Sequence, residues 1–132
     1  MATLQSVKVV NLGSQVEPGS EVTEITPTRF VHSSKVGGLP HQQVDVAIDA
    51  ADFKRLAALV ESADLIRTLG VDTGVHGLCR HLGYEITIVR NNVPYNFSIP
   101  GGQTCIGSNA AFKELMGLYV DLKSKYAPVT PL

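Results

Sequence analysis

Cysteine is scarce in this chain of 132 residues: Cys79 and Cys105 are the only two. Two cysteines do not make a disulfide scaffold, so the fold must be held by an ordinary apolar core. Long apolar runs are missing too. None approaches the ~20 residues needed to span a bilayer, and the first residues, Met1 to Lys8, lack a basic stretch followed by an apolar one. The expectation is a soluble, cytoplasmic chain, with a secreted protein trimmed of its signal as the alternative. Charge is thin at 17%, and eleven basic residues against twelve acidic ones leave a net charge of −1. Without a Lys/Arg run there is no basic footprint for a nucleic acid or an anionic membrane, so neither is expected as a partner.

Apolar residues are plentiful. They make up 44% of the chain, and mean hydropathy is +0.12. That is enough for one core, and the length suits one domain. The strongest local signal runs from Gly83 to Ile99. Tyr84, Ile86 and Ile88 alternate along one strand, and Val93, Tyr95, Phe97 and Ile99 alternate on the return. Between the runs stand Asn91 and Asn92, which tolerate the positive φ of a type I′ turn. This predicts a hairpin with one wet and one buried face.

Earlier segments are weaker. Leu4–Leu12 reads as a short strand, 13–19 as a loop, and 21–25 as weakly strand-like up to Pro27. Residues 28–35 and 42–48 read as two further strands around a loop, Val36-Gly37-Gly38-Leu39-Pro40. Asp49 is placed to cap a helix with its carboxylate, and Asp52 adds a favourable negative charge in the first turn. Phe53, Leu56, Leu59, Val60 and Ala63 give that helix its apolar face, and Leu65, Ile66 and Leu69 continue or follow it. A last helix starts near Ser108 or Asn109 and carries Phe112, Leu115, Met116, Tyr119, Leu122 and Tyr126. The expected architecture is a single α+β domain over 1–132. It has an antiparallel sheet of four or five strands with two helices on one face. Residues 1–27 read as an N-terminal extension with one or two weak strands, and 127–132 as a flexible tail.

Chemistry is written less clearly. His76, Cys79, His81 and Cys105 contain two kinds of zinc ligand, but His-x2-Cys and Cys-x-His are not the usual spacings, so no metal is expected. A Cys79–Cys105 disulfide is the more natural special role, with two free thiols the alternative in a reducing compartment. Cys79 with His81 or His76 as base, or Cys105 near the start of the last helix, could supply a nucleophile, although neither lies in a known signature. The segment 100–108 is glycine-rich and leads into a helix, which suits an anion. It lacks a phosphate-loop lysine and reads more simply as a connection. Gln15-Val16-Glu17-Pro18-Gly19 is near the inhibitory loop of cystatins, but it precedes every helix and is treated as coincidence. No cofactor is implied.

A family resemblance gives the hairpin tip a meaning. Phe30, Ser33, Gly37-Gly38-Leu39, the strand into Asp49, and Leu56, Leu59-Val60 and Ala63 form a pattern. Leu65-Ile66, the strand Tyr84 to Ile88, and the final helix from Phe112 to Tyr126 extend it. This order resembles the emfourin family, small bacterial inhibitors of protealysin, a thermolysin-type (M4) zinc metallopeptidase. The sequence departs from the family in three places: Lys35-Val36 ahead of the glycines, the first 27 residues, and a long loop at 100–108. The resemblance implies an α+β protease inhibitor rather than an enzyme. Its protein-binding residues would be Lys35, Val36, Gly37, Gly38, Leu39 and Pro40. Leu39 would occupy an apolar cleft, and Pro40 would make the next bond a poor substrate. A small Cys/His enzyme and a homo-oligomeric module pairing through a sheet edge are the competing expectations.

Overall fold

The computed structural model describes residues 3–13, 19–70, 82–101 and 110–128. Its centre is one antiparallel sheet. The strands are β1 (Leu4–Asn11), β2 (Gly19–Ile25), β3 (Arg29–Val36), β4 (Leu39–Ala47), β5 (Gly83–Arg90) and β6 (Val93–Pro100). They lie in the order β4-β3-β2-β1-β5-β6. Between β4 and β5 come helix α1 (Ala50–Ser62) and a one-turn helix α2 (Leu65–Thr68), and helix α3 (Ala110–Tyr126) follows β6. The α+β class is as expected. The sheet, however, has six strands rather than four or five, and the short α2 makes a third helix.

The extra strand count comes from the weak N-terminal runs, both of which pair into the sheet. Pro27 ends the β2 region as expected and sits in a tight turn into β3. There Thr26 N donates to Arg29 O at 3.0 Å, and Arg29 N donates to the Thr26 hydroxyl at 3.1 Å. β2 and β3 therefore pair over their whole length. Residues read as an N-terminal extension supply β1 and β2, and β1 is bonded to β2 on one side and β5 on the other. The pairing of β1 with β5 is irregular between Leu4 and Ser6, which interrupts the alternation at the start of β1.

Register lines the strands up in rows across the sheet. One row facing the helices runs Val46, Phe30, Ile25, Val7, Ile88, Tyr95. Phe30, Ile25, Val7 and Ile88 in it are buried. Leu56 and Val60 of α1, Leu65 of α2, and Phe112, Leu115, Leu118 and Leu122 of α3 close over this face in a single cluster. The helix face predicted for α3 is the observed one. Ala127, assigned by sequence to the tail, is instead 1% exposed and belongs to the core.

Both two-residue turns need positive φ. Asn91 and Asn92 have φ of 53° and 63°, as a type I′ turn requires. At Gly83 a close approach adds to the backbone constraint. Its φ is +114°, and a Cβ there would lie 2.4 Å from the Ile99 carbonyl oxygen.

Candidate functional site

The tip of the β3–β4 hairpin stands out on exposure. Gly37 and Gly38 occupy the turn at φ 59° and 82°, with Val36 paired to Leu39 across it. All six residues from Lys35 to Pro40 are exposed. Val36 is 57% exposed and Leu39 71%, the highest value among the exposed large apolar side chains of the described residues. Below the tip the register slips. Lys35 pairs with Pro40 and Ser34 with Gln42, which leaves His41 as an extra residue on β4. Such a bulge bends and twists an edge strand. Beyond the bulge the hairpin is stiffened, since Arg29 donates to the Asp45 carboxylate at 2.6 and 2.8 Å and to the Asp45 carbonyl at 3.1 Å. The tip is thus an apolar projection on an ordered edge hairpin.

A second grouping was not read from the sequence. In the row next to the apolar one stand Val44, His32, Thr23, Val9, Ile86 and Phe97, and the row beyond holds Gln42, Ser34, Glu21, Asn11, Tyr84 and Ile99. Polar side chains therefore face the helix layer. The Thr23 hydroxyl lies 2.7 Å from His32 Nδ1 and 3.1 Å from the Tyr119 hydroxyl of α3. Tyr119 in turn donates to Glu21 at 3.4 Å, and Lys123 Nζ donates to both Glu21 oxygens at 2.8 and 2.7 Å. The network ties three elements together, β2, β3 and α3. His32 is 1% exposed and Ser34 7%, yet His32 Nε2 and Ser34 Oγ have no hydrogen-bond partner among the described residues.

Burial sets the electrostatics. It lowers the His32 pKa, with Glu21 opposing and Lys123 reinforcing the shift, so the imidazole is neutral at pH 7. Burial likewise raises the Tyr119 phenol far above its ordinary value, and that of Tyr84 in the same direction. These groups are uncharged hydrogen-bonding partners around one ion pair. Period 2 along Glu21-Thr23-Ile25 and Phe30-His32-Ser34 carried the signal. Each triplet puts polar residues on the strand face that also holds a core residue.

Beside the network is a half-open recess of about 370 Å³. Glu21, Tyr119, Lys123 and Asn11 give it polar walls, while Met116, Val120 and Pro128 give apolar ones. It lies at the end of the sheet that also carries the hairpin tip, and the two are linked through Gln42, whose amide donates to the Pro128 carbonyl at 3.0 Å.

The remaining sequence candidates, His76, Cys79, His81 and Cys105 with the loop over 102–108, lie outside the described residues. Among the described residues no group of three or more His, Cys, Asp or Glu side chains could hold a metal ion, and no helix is long and apolar enough to cross a membrane. The fold and these two surface features define a two-layer α+β domain whose exposed tip and polar recess lie at one end of the sheet. Neither a protein-family model nor a curated protein matches the chain.

Proposed function

We propose that this chain is a protein-binding module that inserts its β3–β4 tip into the cleft of a thermolysin-like metallopeptidase, as the emfourin-like pattern of its sequence implies. The observation that carries the reading is the exposure of Leu39 and Val36 on a turn that places them together. Lone apolar side chains at a surface are ordinary, but two side by side on a projecting turn make a contiguous apolar surface, the kind that marks interaction sites. A tip fixed by a tight two-glycine turn between paired strands loses little freedom on binding, which favours affinity.

Binding by strand addition is less well supported. The two edge strands are β4 and β6, and they carry Pro40, Pro94 and Pro100. Proline offers no N–H to an incoming strand, and prolines and bulges are the usual means of blunting an edge. The tip remains as the projecting apolar surface. Incubation with a panel of thermolysin-like peptidases tests the proposal. Inhibition at micromolar protein that is lost in Leu39→Asp is the expected result. Full residual peptidase activity with the unaltered protein overturns it.

A further inference from the structure

The Glu21–Lys123 pair sits where a two-layer domain would ordinarily bury apolar side chains. It joins the inner strand β2 to α3 near the tip end of the sheet, and the two side chains are only 26% and 23% exposed. An ion pair held this far from water adds little net stability over apolar packing. Polar residues at helix-facing sheet positions break the local pattern, and such breaks concentrate at binding sites. The recess beside them is a shaped space with one polar corner and apolar walls.

We propose that this recess binds a small neutral molecule of the phenol class, with its ring against Met116, Val120 and Pro128 and its hydroxyl on the Glu21 carboxylate. Size comes first. A volume of about 370 Å³ is near the lower end of ligand pockets, enough for a ring with small substituents. Charge comes next. Glu21 and Lys123 cancel, and a Lys123 N–H already lies on each carboxylate oxygen, so the corner presents no net charge to repay an ionic ligand for its desolvation.

A neutral hydroxyl needs no such exchange. A carboxylate offers about four acceptor sites; Lys123 takes one on each oxygen of Glu21, and Tyr119 takes a second on Oε2. One position is left on Oε1 among the described residues, at the polar corner of the recess. The walls favour an aromatic body. The Met116 thioether and the flat Pro128 ring offer polarizable surface, and sulfur–aromatic contacts are favourable. This site is independent of the protease reading, since it uses none of residues 35–40.

The test is an amide ¹H–¹⁵N titration of the full chain with p-cresol, run in parallel with toluene and 4-methylbenzoate. Saturable shifts confined to Glu21 and the Met116–Lys123 turn are expected for p-cresol. Toluene should bind about fivefold more weakly for want of one hydrogen bond, and 4-methylbenzoate should bind more weakly than either. Val120→Trp, at a position 54% exposed and therefore safe for the fold, should fill the recess and abolish the shifts. Scattered or non-saturating shifts overturn the proposal, as does equal binding of toluene and p-cresol, or p-cresol binding unchanged in Val120→Trp.

Discussion

The Tyr126 hydroxyl lies 2.5 Å from the Asp52 carboxylate, joining the last residue of α3 to the first turn of α1. It also accepts the Asp49 backbone N–H at 2.9 Å. Lys125 completes the joint, donating to Asp49 at 2.8 Å and to Asp52 at 2.7 Å. Asp49 stands at the N-cap position, as its place in the sequence suggests, but its carboxylate makes no cap hydrogen bond and turns to Lys125 instead. A partner from 76 residues away thus replaces the local cap, and Asp52, read from the sequence as a favourable charge in the first turn, is 7% exposed.

Tyr126→Phe keeps the ring stacked on Phe30 at 5.2 Å but deletes both hydrogen bonds. It should cost about 1–3 kcal/mol, because the Asp49 N–H and the Asp52 carboxylate lose a partner together. Urea unfolding at pH 7 measures this, and a midpoint equal to that of the unaltered protein would rule out a structural role for the joint.

Acid should loosen the same joint. Hydrogen bonds from Lys125 and then Tyr126 hold the Asp52 pKa below its usual value, against the opposing effect of burial. A carboxylate with a depressed folded-state pKa stabilises the fold above its unfolded value of about 3.9, and that stability is lost as pH falls through the folded one. Stability should therefore decline below about pH 4, and the decline should be shallower in Asp52→Asn. Equal acid limbs for the two proteins would contradict the assignment.

His32 predicts a second, separate window. Its pKa is lowered mainly by burial, so the unfolded chain takes up a proton where the folded one does not. Stability from the neutral, buried ring is fully present above about pH 6.5 and falls as pH drops from there toward the folded pKa. Replacing His32 with Gln should flatten stability against pH below about 6.5. Direct observation of the ring by NMR should find its titration midpoint below that of an exposed histidine, and a midpoint at or above about 6.5 would contradict the assignment.

The two kinds of glycine turn should respond differently to alanine. Gly37→Ala places a side chain in open space at φ +59°, for a cost of about 1 kcal/mol from the left-handed backbone. Gly83→Ala brings a Cβ to 2.4 Å from the Ile99 carbonyl as well. It should cost about 3 kcal/mol or more, since the β5–β6 pairing must shift to admit it. Thermal unfolding of the two variants side by side checks the order, and equal losses would mean that the contact at Gly83 relaxes freely.

Local rules made much of the fold legible. The β5–β6 hairpin, its Asn-Asn turn and the apolar stripes of α1 and α3 all follow from periodicity and turn chemistry, which act over a few residues. The β3–β4 tip was legible for the same reason, since adjacent glycines between two alternating runs mark a turn wherever the strands lie. Harder to read was β1, whose place beside both β2 and β5 depends on residues far away in sequence. Glu21, His32, Tyr119 and Lys123 were illegible as a group. Each is ordinary in its own segment, and only strand register and the seat of α3 bring them together.

Sequence alone determined which segments fold as strands and helices and which turn presents Leu39, because backbone conformation and amphipathic spacing are settled among near neighbours. Tertiary structure alone decided that β1 and β2 lie inside the sheet, that Asp52 is buried against Tyr126, and that one ion pair walls a recess under α3. Those outcomes depend on pairing between distant segments, where burial and hydrogen bonding are shared by residues that no local pattern connects.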